Sequence, residues 1–241
     1  MSELNTKSLA QIVTNDHRTA AIFEKYHLDF CCKGKRPLLQ ACTEQHLPVD
    51  EIVSELETVL QQDSKNTMIN FDTLSLTQLA DYIENTHHDY VKKESPQILA
   101  YLQRVAAKHG NRHPEMLKVF ELLTEVKEEM EQHIQKEEVI LFPRIKMLEK
   151  GEQINQPIVY LEAPISVMEL EHDHAGNLLD EIRKLTSEYN PPADACTTYR
   201  LSFAALKAFE MDLHQHVHLE NNILFPKALA IFTQATEASL N

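Results

Sequence analysis

One pattern of eleven residues occurs twice in this chain and constrains its fold more than any other feature. It reads His133-Ile-Gln-Lys-Glu137-Glu-Val-Ile-Leu-Phe-Pro143 and again His216-Val-His-Leu-Glu220-Asn-Asn-Ile-Leu-Phe-Pro226. Each helical residue advances about 100°, so a His and a Glu four apart lie about 40° from each other on one face. Such a pair can grip one ion, or two ions side by side. A shorter pattern precedes each copy: His88-Asp89 and, 84 residues later, His172-Asp173. The spacing from His133 to His216 is 83 residues. Two copies of one unit, each a lone-His helix followed by a His-x3-Glu helix, are expected to pack with approximate two-fold symmetry.

The scarcity of glycine points the same way. Of 241 residues only Gly34, Gly110, Gly151 and Gly176 are glycine, where average usage would give about 17. A glycine-rich phosphate loop needs several within about eight residues, so Rossmann and P-loop sites are excluded. A turn-dense β sandwich or barrel is disfavoured as well. Four helical runs remain. The first opens at the capping-box pattern Ser75-Leu-Thr-Gln78 and heads for His109-Gly110, with a kink or break expected at Pro96. The second spans Pro114 to Lys150, the third starts near Pro164 and ends before Pro191-Pro192, and the fourth covers about Ala195 to Ile231. Together they are the parts of an all-α four-helix bundle.

Residues 1–62 read as a separate small helical domain. Leu9, Ile12, Val13, Ala20, Ile22, Phe23 and Tyr26 make an apolar stripe, broken by Asp29-Phe30-Cys31-Cys32-Lys33-Gly34. Pro48 and the acidic turn Asp50-Glu51 introduce another helix. Residues 63–73 are expected to be a linker and 74–241 the bundle. With 23 Lys+Arg against 37 Asp+Glu the net charge is −14. That surface repels phosphate backbones, so no nucleic-acid partner is expected. Neither a basic leader followed by an apolar core nor an apolar run of about 20 residues is present, which predicts a cytoplasmic chain with no membrane partner. The four cysteines are then expected to be thiols.

Six ligands converge in this arrangement: His88, His133, Glu137, His172, His216 and Glu220. Imidazole suits iron, zinc and copper, while carboxylate favours harder ions and can bridge two of them. The mixture points to a non-haem di-iron site, with zinc open on ligand type alone. A single His-x3-Glu is commonly a solvated pair; the repetition with its shared tail is what argues for metal. His87 and His88 diverge by about 100° and are not both expected to face the interior. The His-Asp match favours His88. Glu84-x2-His87 and Glu169-x2-His172 also spell a ferritin-like signature, but that choice leaves both His-x3-Glu pairs idle. His214 and His218 compete with His216, which alone shares the spacing to proline. Leu141, Phe142, Leu224 and Phe225 read as core.

The two His-x3-Glu segments with their Leu-Phe-Pro tails, the lone histidines and Asp29-Phe30-Cys31-Cys32-Lys33-Gly34 together resemble the repair of iron centres family. The resemblance covers nearly the whole chain. It implies a hemerythrin-like four-helix bundle with a small N-terminal helical domain, and two non-haem iron ions in an oxo-bridged centre on the same six ligands. It also implies a bacterial, cytoplasmic stress-response protein, often a homodimer, that restores iron–sulfur clusters damaged by nitric oxide or oxidants. Such a protein donates iron rather than acting as a conventional enzyme, with nitric oxide reduction as a side activity. The implied partners are damaged iron–sulfur proteins, with nitric oxide or oxygen as small ligands. The alternative is a hemerythrin-like carrier, sensor or reductase of nitric oxide or oxygen; an iron-storing ferroxidase is a further one.

The family's cysteine pair falls on Cys31 and Cys32, for redox or iron-transfer chemistry. Lys25, His27, Lys33 and Lys35 lie close in sequence, which predicts thiolate character. Two other readings stay open: two small buried residues at a helix end, or a zinc site of Cys31, Cys32, Cys42 and His46. Glu129, one turn before His133, and Glu171, next to His172, are candidates to support the ligands or to line an iron path. Exposed helix acids are the plainer reading of both.

Overall fold

The computed structural model describes residues 2–61, 69–151 and 159–239. Most of the expected linker, at 63–68, lies outside the described residues. Its last part is helical, a short turn at Phe71–Thr73 whose Phe71 is buried.

The N-terminal unit holds α1 (Leu9–Asn15), α2 (Ala20–Lys25), α3 (Leu38–Glu44) and α4 (Val49–Gln61). Ser8 opens α1 with a capping box: its hydroxyl accepts from Gln11 N–H, and the Gln11 side chain accepts from Ser8 N–H. The apolar stripe of residues 9–26 does not form one helix. Asp16 interrupts it in extended backbone, capping Arg18 N–H and pairing with the Arg18 guanidinium at 2.6 Å. The local carboxylate bonds outcompete helix continuation there. Leu9, Ile12, Phe23, Leu38, Ile52 and Leu56 then close a small core.

Four long helical rods follow. In the first, α5 (Leu76–Ile83) passes through a single π turn (Glu84–His88) into α6 (Asp89–His109). In the second, α7 (Glu115–Lys136) passes through a π turn (Glu137–Leu141) into α8 (Phe142–Glu149). The third is α9 (Val159–Leu185). In the fourth, α10 (Thr197–Leu219) passes through a π turn (Glu220–Leu224) into α11 (Phe225–Ser239). The capping box at Ser75 and Gln78 forms as expected. Glu149, at the end of α8, adds a second cap by accepting from Leu76 N–H at 2.7 Å and Thr77 N–H at 3.0 Å.

Two boundaries differ from expectation. Pro96 does not break the first rod, because Lys92, whose carbonyl loses its partner, and Pro96 itself are both exposed. Water can take that carbonyl. Pro164 lies inside α9 rather than at its start.

The π turns have a cause that can be read in two cases. Phe142 N–H bonds back to Glu137 O and Phe225 N–H to Glu220 O, five residues rather than four. Pro143 and Pro226 come next and have no N–H for the carbonyl four residues earlier. One helical bond is already missing, so widening the turn costs less. The turn at Glu84–His88 has no such proline, and nothing in its sequence explains it.

The bundle's apolar core is divided. One cluster, including Leu102, Leu123, Leu179, Leu206 and Phe209, fills one end; another, including Leu79, Phe142, Ile145, Leu224 and Phe225, fills the other. A layer of buried polar side chains separates them. Among the described residues, no helix is long and apolar enough to cross a membrane.

The outer face of α10 is the floor on which the N-terminal unit sits. Val217 joins that unit's core. The Phe30 ring lies 6.2 Å from His214 and 5.6 Å from His218. His214 Nδ1 meets Glu24 at 2.6 Å, and Asn222 Nδ2 donates to the Cys31 carbonyl at 2.8 Å. Removing the Phe30 ring leaves a cavity at this junction. Phe30→Ala is expected to destabilise the N-terminal unit by about 3–5 kcal/mol, so amide exchange should accelerate in α1 to α4 and stay unchanged in α6 and α7.

Candidate metal centre

The polar layer contains all six ligands expected from the sequence. His88 comes from the first π turn, His133 from the end of α7, Glu137 from the second π turn, His172 from α9, His216 from α10 and Glu220 from the third π turn. Each is at most 1% exposed. They form two groups, His88-Glu137-His216-Glu220 and His133-Glu137-His172-Glu220, with the ligand atoms of each within 4.8 Å of one another. Both carboxylates belong to both groups.

The distances show how sharing works. Glu137 Oε2 lies 3.3 Å from His88 Nε2 and 3.2 Å from His133 Nε2. Glu220 divides its oxygens, Oε1 at 3.0 Å from His216 Nε2 and Oε2 at 3.1 Å from His172 Nε2. The Nε2 atoms also face each other in pairs, His88 to His216 at 3.2 Å and His133 to His172 at 3.0 Å. Facing nitrogens at this separation cannot all be donors. Both Glu137 oxygens and Glu220 Oε2 are buried without a hydrogen bond of sound geometry. Buried carboxylate oxygens left so are costly unless a cation meets them. Imidazoles and carboxylates aimed at two common points fit two divalent metal ions.

The charge state agrees with that fit. Burial opposes a charge on His88, but Glu137 and Glu220 outweigh it and raise the imidazole to about 10. Burial is likewise overcome at His133, chiefly by Glu137, which raises it to about 10. Burial would raise Glu220, yet His216 and His172 hold it well below the usual carboxylate range. Without metal, protons on imidazoles supply the positive charge.

Outside the six ligands lies a set of residues that hold the imidazoles by Nδ1. Glu138 Oε1 is 3.0 Å from His88 Nδ1, Asn221 Oδ1 is 2.9 Å from His172 Nδ1, and Glu171 Oε2 is 2.9 Å from His133 Nδ1. Lys136 pairs with the other Glu171 oxygen. Such partners fix the ring and raise its basicity as a ligand. Glu171 thus stands behind His133, whereas Glu129 pairs with His174 at 3.1 Å. Glu138 and Asn221 escaped the sequence reading, although each directly follows a ligand glutamate in the repeat. Leu141, Phe142, Leu224 and Phe225 are core, as expected. Two also face the site: Phe142 stacks on His88 with centroids 5.6 Å apart, and Phe225 on His172 at 6.4 Å.

Four expectations need correction or placing. His87 and His88 are both buried: His87 stacks on His216, with Nδ1 3.0 Å from Asp212 Oδ1. Two neighbours can both point inward because the π turn there is wider than an α turn. Glu84, of the ferritin-like signature, pairs with Lys146 at 2.9 Å, and neither it nor Glu169 joins the two groups. Cys31 is not a thiolate. Cys32, burial and the Asp29 carboxylate 3.3 Å away all raise its thiol well above the ordinary value. The lysines nearby in sequence do not offset them. The thiols group with Asp29, not with Cys42, which is packed in the core, nor with His46. Cys31 and Cys32 line a cavity of about 470 Å³ that His172 and Asp173 line as well.

A bundle with paired His-Glu helices around a shared buried centre defines a hemerythrin-like cation-binding protein, and residues 79–228 match the Hemerythrin HHE cation binding domain. Residues 5–60 match ScdA_N, a domain of unknown function. Over 92% of its length the chain is 32% identical to the iron-sulfur cluster repair protein ScdA of Staphylococcus haemolyticus, of which it covers 98%. It is 36% identical to the iron-sulfur cluster repair protein YtfE of Enterobacter sp. and 37% to that of Dickeya chrysanthemi, covering 96% of each and 92% of itself. The chain belongs to this ScdA/YtfE family of hemerythrin-like proteins.

Metal binding here requires protons to leave. His88 and His133, raised to about 10, are charged at pH 7.5 in the metal-free protein. Metal uptake that engages both imidazoles is therefore expected to release about two protons per chain, and affinity should fall as pH falls. Calorimetry of anaerobic iron(II) binding in two buffers of different ionisation enthalpy measures this; no buffer dependence is the contrary result.

Proposed function

We propose that this chain repairs damaged iron–sulfur clusters by giving up iron from a two-iron centre held by His88, His133, Glu137, His172, His216 and Glu220. The observation that carries the reading is the pair of four-residue groups sharing both glutamates. The names of the ScdA and YtfE relatives supply the reaction class. Iron held there supplies a redox-active cation, and as cargo it is what a cluster that has lost iron to nitric oxide or oxidants needs. Two shared carboxylates suit that role better than a closed four-ligand structural site, because each ion has only two imidazoles of its own.

The chain's own residues divide the work. The glutamates bring negative charge to a layer sealed by Phe142 and Phe225, so the ions are held away from water. Glu138, Glu171 and Asn221 keep three imidazoles aimed. Cys31 and Cys32 share a cavity with the His172 edge of the centre. That shared cavity supports a role for the two thiols towards a small ligand, such as nitric oxide, that approaches the centre from this side. The raised Cys31 thiol stays protonated until a metal or partner displaces its proton, so the pair acts on demand rather than as standing nucleophiles.

Two measurements test this. Iron-loaded protein is expected to restore activity to an enzyme whose cluster has been damaged by nitric oxide, while the Glu137→Gln, Glu220→Gln double variant neither holds iron nor restores it. Reversible nitric oxide or oxygen binding without iron transfer would favour the carrier reading instead. For the supporting residue, Glu171→Leu is expected to speed iron loss to a chelator about 10- to 100-fold by freeing His133; an unchanged rate removes Glu171 from the account.

A further inference from the structure

The two-fold relation within the bundle specifies what should stand behind each ligand. Behind His133 is Glu171, the residue before His172. The corresponding residue before His88 is not a carboxylate but His87. The consequences are visible at His216, the partner of His133 in the repeat. His87 gives its Nδ1 to Asp212 at 3.0 Å and lays its ring on His216, centroids 6.0 Å apart and planes within 10°. Stacked rings do not aim an N–H at each other's nitrogen. His216 Nδ1 and His87 Nε2 are accordingly both buried without a hydrogen-bond partner. Among the described residues, acceptors stand at Nδ1 of His88, His133 and His172, and none stands at Nδ1 of His216.

A histidine that binds metal through Nε2 carries its proton on Nδ1. An acceptor there fixes the ring and strengthens it as a ligand, and its loss typically lowers metal affinity about 10- to 100-fold. His133 and His172 both have that support; of His88 and His216, only His88 does. We propose that the two metal positions are unequal, the one at His133 and His172 retaining its ion and the one at His88 and His216 exchanging it. This rests on the two-ion reading and extends it: iron passed to a damaged cluster leaves from the His216 side. His87 is the positioning residue responsible, because it occupies the place of an anchor without serving as one.

The test titrates metal-free protein with cobalt(II) against a competing chelator and follows the ring N–H protons shifted by the bound ion in NMR spectra. Two ions are expected to bind, the second about 10- to 100-fold more weakly. The first should shift the N–H signals of His133 and His172, which exchange slowly because each donates to a fixed acceptor. Glu137 and Glu220 serve both positions, so unequal steps alone do not identify the weaker one; side-specific variants do. Glu171→His gives His133 the neighbour that His216 has, and should weaken the tight step by that factor while sparing the weak one. His87→Glu combined with Asp212→Asn, which removes the adjacent like charge, should strengthen the weak step by a similar factor. Should the buried double variant fail to fold by circular dichroism, Glu171→His decides the matter, since Glu171 is only half-buried. First occupancy at His88 and His216, a Glu171→His effect confined to the weak step, or two equal steps would overturn the inequality alone. Uptake of fewer than two cobalt ions per chain would overturn the two-ion centre as well.

Discussion

Two carboxylates and four imidazoles, sealed between two apolar clusters, form the interaction on which the rest of this structure depends. A carboxylate taken from water into such surroundings is unfavourable by several kcal/mol unless positive charge meets it. Among the described residues, the ion pairs of Glu137 and Glu220 are made with histidines. The compensation of these carboxylates is imidazole: His88 and His133 are held in the charged form in the metal-free chain. The layer is therefore stable only as a unit, and each member's position is explained by the others. The apolar clusters on either side keep the attraction strong by excluding water, which would screen it.

Delivering six side chains to one layer is a geometrical problem that a straight α-helix solves poorly. Three of the four rods carry a π turn, and three of the six ligands, His88, Glu137 and Glu220, lie in these turns. In the second and fourth rods the proline of the Leu-Phe-Pro tail removes a backbone donor just where the wide turn forms. The tail thus does more than fill the core: its proline loosens the helix, and its phenylalanine packs against a ligand ring. The same duplication that repeats these devices shows where the halves differ. Residues following the two glutamates, Glu138 and Asn221, perform one task in both halves. Residues preceding the two lone histidines, His87 and Glu171, do not.

Helix α10 joins the centre to the N-terminal unit. His216 and, one turn on, Glu220 and Asn221 point into the bundle. His214, Val217, His218 and Asn222 point the other way and hold Glu24, Phe30, Thr14 and the Cys31 carbonyl. The contact with the cysteine loop is direct, made through a hydrogen bond from Asn222 to the Cys31 carbonyl and an aromatic contact between Phe30 and His218. The alternation of histidines at 214, 216 and 218 looks like competition for one role in sequence, but it is a division between two faces.

The sequence by itself determined the all-α bundle, its two-fold character and the six side chains that meet, because helical periodicity turns fixed spacings into fixed faces. The repeat then selects among neighbouring histidines by register. It also led to the capping box at Ser75 and the core roles of Leu141, Phe142, Leu224 and Phe225. Only the tertiary structure decided what surrounds those side chains. The protonated Cys31 thiol, the burial of His87 beside His88, and the acceptors behind His88, His133 and His172 all depend on groups brought together from distant segments. Electrostatics and hydrogen bonding act through space over a few ångströms. Charges close in sequence, such as the lysines flanking the cysteines, therefore count for less than an aspartate whose carboxylate the fold turns towards the sulfur.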